Sequence, residues 1–103
     1  MWTYHAKVAK VVNGDTLDLD VDLGFRITHR VRVRLARVDA PEMSTDLGKE
    51  LKRRMAEEFA GSPDVTISTS KGDKYGRWIA EVQIVGGPNL SDWLLLNGYA
   101  EPY

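Results

Sequence analysis

The chain has 103 residues, of which 43% are hydrophobic and 28% are charged, and its formal net charge is −1. This length accommodates one domain, and the composition excludes a disordered tail, a collagen-like repeat and a coiled coil. The absence of cysteine excludes disulfides, thiolate zinc sites and a thiol nucleophile. No apolar run approaches the roughly 20 residues that span a bilayer, and the first residues lack the apolar core of a signal peptide. We therefore expect one cytoplasmic, monomeric domain over residues 1–103, without a membrane partner.

The first part of the sequence predicts three β-strands. Residues 3–12 mix β-branched residues with lysines and predict the first strand. Residues 13–16 (Asn-Gly-Asp-Thr) are a turn signal, because Asn and Gly adopt positive φ at low cost. Over residues 17–35, apolar residues alternate with charged residues on both sides of a short glycine-containing loop. This period of two predicts a hairpin of strands two and three that folds about residue 25.

The charged residues of this hairpin face one another in the predicted register. Burying both apolar stripes sets Asp20 opposite Arg30 and Asp18 opposite Arg32. Residues 26–54 contain nine basic and four acidic residues, and a segment this basic could face a polyanion. The alternative is a solvated face whose arginines are neutralised by neighbouring carboxylates. Charge alone favours the neutralised face.

A helix is predicted after the third strand. Ser44 or Thr45 can cap its first turn, and Gly61 and Pro63 are expected to end it. Its apolar residues recur every four positions and are Leu47, Leu51, Met55 and Phe59.

The remainder of the sequence predicts two more strands and a second helix. Residues 65–69 and 77–85 are strand-like and are separated by a turn over 71–76. A short helix around 90–94 follows, and 99–103 is expected to be a tail. Three strands, a helix, two strands and a helix are the element order of the OB-fold, a mainly β fold with α (α+β). We therefore expect a five-stranded Greek-key barrel with one helix between strands three and four and a short second helix.

Carboxylates collect where the predicted hairpin opens. Asp15 begins strand two and Asp39 follows strand three, so both can reach the same end of the sheet. Paired Asp oxygens, with backbone carbonyls and water, suit a hard cation such as Ca²⁺ or Mg²⁺. Pro41 keeps the residue before it extended and projects Glu42, a carboxylate suited to general-base work on water.

Two arginines accompany these carboxylates. Arg34 ends strand three outside the paired acidic stripe, and Arg77 follows the turn signal at 73–76. Guanidinium groups near a metal and a carboxylate suit the charge that develops when a phosphoryl group is transferred. Each feature also has a purely structural interpretation: Asp15 as an Asx-turn residue, Asp39 as part of a loop that leads into a helix, and the Arg77 turn as a hairpin loop.

Three motifs in series are more specific than any of them alone. They are Asn13-Gly14-Asp15-Thr16, Arg34-Leu35-Ala36-Arg37-Val38-Asp39-Ala40-Pro41-Glu42 and Asp73-Lys74-Tyr75-Gly76-Arg77. In this order they resemble the staphylococcal (thermo)nuclease family, and the resemblance covers nearly the whole chain. It implies an OB-fold phosphodiesterase, a thermonuclease-like endonuclease that uses Ca²⁺ to cleave DNA and RNA.

The resemblance also implies the cation site and the base. Asp15 and Asp39 correspond to metal ligands, joined by the backbone carbonyl of Ala40, and Glu42 corresponds to the general base. Members of the family often have Thr where this chain has Ala40. Because the ligand there is a carbonyl oxygen, we expect Ala to serve equally well.

The remaining roles concern the substrate. Arg34 and Arg77 correspond to the family's arginines on the scissile phosphate, and Lys74 and Tyr75 match positions used around the nucleotide. In this chain the loop between strands two and three is longer than in the family's prototype. The stretch from Glu42 to the second arginine is shorter.

The sequence therefore predicts a calcium-dependent nuclease whose partner is single-stranded or frayed nucleic acid. A non-catalytic OB-fold module that binds nucleic acid or protein is the alternative from another class. A small accessory protein whose fold serves assembly is a third possibility. Calcium-dependent release of nucleotides separates the first function from the other two.

Overall fold

A computed structural model of the chain describes residues 2–61, 63–72 and 77–103. Within these residues the strands are β1 (Trp2–Asn13), β2 (Thr16–Asp22), β3 (Thr28–Leu35), β4 (Val38–Asp39), β5 (Asp64–Gly72), β6 (Trp78–Ile84) and β7 (Glu101–Pro102). The helices are α1 (Asp46–Glu58) and α2 (Leu90–Leu96). Neither helix in the described part of the chain has the length and apolarity that crossing a bilayer requires.

Five strands form a closed barrel in the order β1-β2-β3-β6-β5, and β5 returns to pair with β1. The pairing of β3 with β6 is parallel, whereas the other pairings in the barrel are antiparallel. The helix α1 lies in the chain between β3 and β5, with the two-residue strand β4 before it. This mixed five-stranded barrel confirms the predicted OB-like, mainly β fold with two helices.

The β2–β3 hairpin has the predicted register. Asp20 pairs with Arg30 and Asp18 with Arg32, while the alternate residues Leu17, Leu19, Val21 and Val33 are buried in the barrel. Nε of Arg32 donates to Asp18 at 2.8 Å, and Nε of Arg30 donates to Asp20 at 2.5 Å. These arginines therefore serve the sheet, as the neutralised-face interpretation expected.

The core is the barrel interior together with the inner faces of both helices. Its buried hydrophobic residues are Ala6, Val8, Val11, Leu17, Leu19, Val21, Val33, Leu35, Val38, Leu51, Met55, Phe59, Val65, Ile67, Ala80, Val82, Leu90 and Leu94. Three of the four predicted apolar residues of α1 are in this set. Leu47 is not, since it is 73% exposed in the first turn of the helix, where it lies against a surface groove instead of the barrel.

Several element ends differ from the sequence prediction by a few residues, and the largest differences are at the ends of α1 and β5. The helix α1 is capped by the Thr45 hydroxyl, which accepts from the N–H of Gly48, and it ends at Glu58, before the predicted Gly61. The strand β5 continues to Gly72, so the predicted turn over 71–76 begins later; residues 73–76 lie outside the described part of the chain.

The prediction of a tail over 99–103 is wrong for its last part. Residues 101–102 form β7, which pairs with β4. Asp39 lies opposite Glu101, and Val38 lies opposite Pro102. The N–H of Tyr103 then donates to the carbonyl of Arg37 at 3.1 Å. A two-residue strand has too few residues to show periodicity, so only the structure reveals that this segment is fixed beside the end of β3.

The Asp18–Arg32 pair makes stability depend on pH. The hydrogen bond from Arg32 holds the pKa of the Asp18 carboxyl below its ordinary value. A carboxylate with a lowered folded-state pKa stabilises the fold above its unfolded pKa, and it loses that contribution as the pH falls through the folded value. We predict that the stability deficit of Asp18→Asn is largest near neutral pH and shrinks below about pH 4.

Urea denaturation of the wild type and of Asp18→Asn at pH 7, 4 and 3 measures this deficit. Glu58→Gln, at the exposed end of α1, is the control for changes unrelated to the hairpin. A deficit for Asp18→Asn that stays constant from pH 7 to 3 contradicts the prediction.

Candidate functional site

The guanidinium of Arg34 lies between two carboxylates that are 24 residues apart in the sequence. Its Nη2 atom is 3.9 Å from an oxygen of Asp15 and 3.8 Å from an oxygen of Asp39. The side chains of Arg34 and Asp15 are mostly covered, whereas that of Asp39 is 59% exposed. The two aspartates therefore meet at one end of the hairpin, as predicted, and the guanidinium of Arg34 lies between them.

Backbone carbonyls and an aromatic ring fix the position of Arg34. Nη1 donates to the carbonyl of Leu35 at 3.2 Å, and Nη2 donates to the carbonyl of Val38 at 3.0 Å. The ring of Tyr103 covers one face of the guanidinium, with its centroid 4.5 Å away. Such a cation–π contact adds to the attraction of the carboxylates. Arg34 is consequently ordered by β3, by the turn that follows it and by the segment after β7.

The turn before β2 presents Asp15. The Asn13 side chain accepts a hydrogen bond from the N–H of Asp15 at 3.0 Å, so Asn13 is the Asx-turn residue and the Asp15 carboxylate points elsewhere. Oδ2 of Asp15 accepts from the N–H of Ala40 at 3.2 Å, which draws the two segments together. A side chain at Gly14 would collide with Leu51 and Ala40, so only glycine allows α1 to approach this turn.

Arg77 reaches the same site from the start of β6. Its Nη1 atom donates to the hydroxyl of Thr16 at 3.1 Å. That hydroxyl in turn donates to Oδ1 of Asp15 at 3.1 Å. The second predicted arginine is thus connected to the first predicted carboxylate through one buried hydroxyl group.

Glu42 lies on the wall of a groove that Asp39 also lines. The segment 39–42 and Leu47 line this groove together with residues 98–101, and its volume is about 410 Å³. The Glu42 side chain is exposed, and Oε2 is 3.5 Å from the hydroxyl of Ser44. The backbone carbonyl of Glu42 accepts from the Thr45 hydroxyl at 2.6 Å. The carboxylate is therefore open to solvent while its backbone is fixed to the start of α1.

The oxygen atoms at this site suit a hard cation. Asp15 and Asp39 approach one guanidinium nitrogen, and the strand pair β4–β7 sets Glu101 opposite Asp39, an arrangement of like charges that a cation would relieve. In the described residues, no group of three or more His, Cys, Asp or Glu side chains is arranged to hold a metal ion. Two carboxylates, the Ala40 carbonyl and water are nevertheless donors that Ca²⁺ accepts. The residues present fit such an ion.

Comparison with known proteins identifies the family. The model of the staphylococcal nuclease homologue family matches residues 32–103, well over half of the chain. The chain belongs to this family. It is 31% identical over 99 residues to an uncharacterized endonuclease of Escherichia coli O157:H7, covering 96% of this chain and 61% of that protein. It is 29% identical over 108 residues to a micrococcal nuclease of Shigella flexneri, covering 97% of this chain and 59% of the relative.

The chain spans about three-fifths of the length of these curated relatives. A protein named ParB from Escherichia coli is also similar, with 31% identity over 78 residues, 76% of this chain and 41% of that protein. Residues 32–103 include every predicted site residue of this staphylococcal nuclease homologue except Asp15.

Two predicted site residues lie outside the described part of the chain, and one residue at the site was not predicted. Lys74 and Tyr75 lie outside the described residues. Thr16 was not predicted as a site residue, although it contacts both Asp15 and Arg77. The alternation of β2 places Thr16 on the same face as Asp18, Asp20 and Asp22, so its position on the strand could have been predicted. No local pattern points to the stacking of Tyr103 on Arg34.

The position of Glu42 depends on a glycine in α1. A Cβ atom at Gly48 would overlap the carbonyl group of Glu42 and press on that of Pro41. We predict that Gly48→Ala destabilises the fold by about 1–3 kcal/mol, because the loop has to move away from the helix. Helix propensity acts in the opposite direction, since it favours Ala over Gly by about 1 kcal/mol.

Thermal or urea denaturation of Gly48→Ala measures the balance between these effects. Ala56→Gly, on the exposed face of α1, is the matched control that reports propensity alone. A Gly48→Ala variant that is more stable than the wild type would show that the contact between a side chain at position 48 and the carbonyl group of Glu42 does not destabilise the fold.

Proposed function

We propose that the chain is a calcium-dependent nuclease domain that hydrolyses phosphodiester bonds in single-stranded or frayed DNA or RNA. The observation that carries the proposal is the arrangement around Arg34. Two carboxylates share its guanidinium, and a second arginine, Arg77, donates a hydrogen bond to the residue that follows Asp15. A site with acidic and cationic groups in contact suits a phosphodiester together with a divalent cation. The names of the relatives in Escherichia coli and Shigella flexneri support this substrate class.

Asp15, Asp39 and the carbonyl of Ala40 are the groups proposed to hold Ca²⁺. When bound, Ca²⁺ supplies a positive charge that polarises a phosphate oxygen. Asp15 accepts hydrogen bonds from Ala40 and from the neighbouring hydroxyl on β2, so its carboxylate is already oriented. Asp39 is largely exposed and can adjust to the ion. This combination of one fixed and one adjustable carboxylate suits an ion whose other ligands are water molecules.

Arg34 and Arg77 are proposed to bind the phosphate. A guanidinium has five N–H donors, and Arg34 uses donors on both terminal nitrogens for the carbonyls of Leu35 and Val38. Those bonds fix its plane, and its remaining donors can contact phosphate oxygens without reorganisation of the side chain. Preorganised donors of this kind stabilise the charge that develops when the fifth oxygen approaches phosphorus.

Glu42 is proposed to accept the proton of the attacking water. Its carboxylate is exposed on the wall of the groove that Asp39 also lines, so water reaches it freely. The structural contact of this residue is made by its backbone carbonyl, which accepts a hydrogen bond from the Thr45 hydroxyl in the turn before α1. The side chain is consequently available for proton transfer without cost to the fold.

The first test is digestion of single-stranded DNA by the wild-type protein with Ca²⁺ and with excess EGTA. We expect acid-soluble nucleotides with Ca²⁺ and none after chelation, because the cation is needed to polarise the phosphate. Arg34→Lys should lose most of the activity, since an ammonium cannot replace the planar, bidentate contact of a guanidinium with phosphate.

Arg32→Lys is the matched control, because Arg32 lies two residues away on the same strand and its guanidinium is engaged by Asp18. It should retain near wild-type activity. Binding of DNA without cleavage at any Ca²⁺ concentration would favour the non-catalytic OB-fold module. Equal losses for both arginine variants would contradict the assignment of the phosphate site to Arg34.

The second test concerns the general base. Glu42→Gln preserves the shape of the side chain and the backbone cap but cannot accept a proton, so kcat should fall by about 10²–10⁴-fold. The melting temperature should change by only a few degrees, because exposed side chains usually contribute about 0.5 kcal/mol or less. Measurement of kcat at saturating Ca²⁺, beside a melting curve, tests both expectations.

Glu57→Gln, on the exposed face of α1, controls for the loss of one surface carboxylate. A folded Glu42→Gln protein with wild-type kcat would exclude the general-base role. Unfolding of this variant would instead make Glu42 a structural residue.

A further inference from the structure

Thr16 is the buried polar residue at the centre of the site. It is 2% exposed and is the first residue of β2. Its hydroxyl donates to Oδ1 of Asp15 and accepts from Nη1 of Arg77, each at 3.1 Å. The residues that it joins come from the turn before β2 and from the start of β6, and Arg77 is 61 residues from Thr16 in the sequence.

The two hydrogen bonds of this hydroxyl depend on one another. A hydroxyl group has one proton, so donation to Asp15 fixes the rotation of the O–H bond and turns the oxygen lone pairs away from the carboxylate. Arg77 donates to that oxygen. Hydrogen bonds in such a chain polarise each other in a buried environment, so each bond strengthens the other. Asp15 and Arg77 therefore have a defined position relative to one another.

We infer that Thr16 is a positioning residue that couples binding of the cation at Asp15 to binding of the phosphate at Arg77. This inference rests on the proposed function, which gives Asp15 and Arg77 those roles. Because the three groups form one hydrogen-bonded chain, a ligand that shifts one side chain also shifts the other through the shared hydroxyl, and the second ligand then binds to a site already in its bound arrangement. The coupling is positive and, by linkage, equal in both directions.

A purely structural role for Thr16 predicts a different result. Thr is β-branched and lies within a sheet, and Val has the same shape with a methyl group in place of the hydroxyl. Thr16→Val should therefore retain the strand while it removes one hydrogen-bond partner from Asp15 and one from Arg77. Thr16→Ser restores the hydroxyl without the methyl group. If only packing mattered, Val would be tolerated and Ser would be the damaging substitution.

The experiment measures Ca²⁺ affinity by calorimetry with and without saturating deoxyadenosine 5′-monophosphate. In the wild type we expect the nucleotide to tighten Ca²⁺ binding by about 10-fold, within the usual range of coupling between sites. Thr16→Val should reduce this ratio several-fold, leaving only the direct attraction between cation and phosphate, and should lower kcat/KM by roughly 10- to 100-fold, the usual effect of losing a partner of a metal-binding side chain. Thr16→Ser should restore both. Thr16→Ala, which removes the hydroxyl and leaves space, is measured beside Thr16→Val in case the methyl group disturbs folding.

Ser91→Ala is the matched control. Ser91 is also buried, and its hydroxyl donates to the carbonyl of Ala36 at 2.7 Å, so its removal costs stability without altering the Asp15–Thr16–Arg77 chain. We expect this variant to be less stable than the wild type and to retain the full Ca²⁺–nucleotide coupling.

The outcomes separate this inference from the proposed function. A wild type that shows coupling reduced several-fold in Thr16→Val but cleaves no nucleic acid supports the inference and contradicts the nuclease. A wild type that cleaves DNA while folded Thr16→Val and Thr16→Ala keep its coupling and kcat/KM overturns the inference and leaves the nuclease intact. Independent binding of Ca²⁺ and nucleotide in the wild type also overturns the inference.

Discussion

The positive charge of Arg34 is removed from solvent, and this requires groups of opposite charge or polarity to surround it. Burying a charge is costly unless it is paired and hydrogen-bonded. The carbonyls of Leu35, at the end of β3, and of Val38, at the start of β4, meet this requirement on one side. The carboxylates of Asp15 and Asp39 meet it on another, and the ring of Tyr103 covers a face of the guanidinium. Three separate segments of the chain are consequently oriented toward one side chain. The same arrangement brings both carboxylates to within 3.9 Å of one guanidinium nitrogen, at the position proposed above for a divalent cation.

The barrel supplies the geometry that this charge requires. Because β2 and β3 are adjacent and antiparallel, the turn before β2 and the end of β3 meet, and the carbonyl of Asp15 accepts from the N–H of Leu35 at 2.8 Å. The helix α1 then closes over this end, which is possible only because Gly14 and Gly48 lack side chains at the two points of contact. The glycines do not take part in any chemistry. They allow the helix to approach closely enough to fix both the Asp15 turn and the loop that carries Glu42.

The parts of this structure that could be predicted from the sequence are those governed by a periodic pattern. The pairing of Asp18 with Arg32 followed from strict alternation, since a shift of one residue would have buried the charges. The segment after α2 had no such pattern, and its pairing with β4 depends on only two residues. Leu47 matched the helical period but lies at the end of α1 that projects past the core. Thr16 could be placed on a strand face. Its contact with Arg77, however, depends on the parallel pairing of β6 with β3, the strand beside β2.

The distribution of paired charges determines how this chain can meet a polyanion. Arg30, Arg32, Arg37 and Arg53 each contact carboxylates, so the basic segment 26–54 presents little net field to solvent. Long-range attraction of nucleic acid depends on unneutralised positive charge and on the number of phosphates contacted. The net charge of −1 offers no additional attraction. Affinity for the proposed substrate must therefore arise from a few contacts at short range, where two arginines and a bound cation would concentrate positive charge on one phosphate. The proposed site would therefore recognise the reacting phosphate more than the length of the polymer.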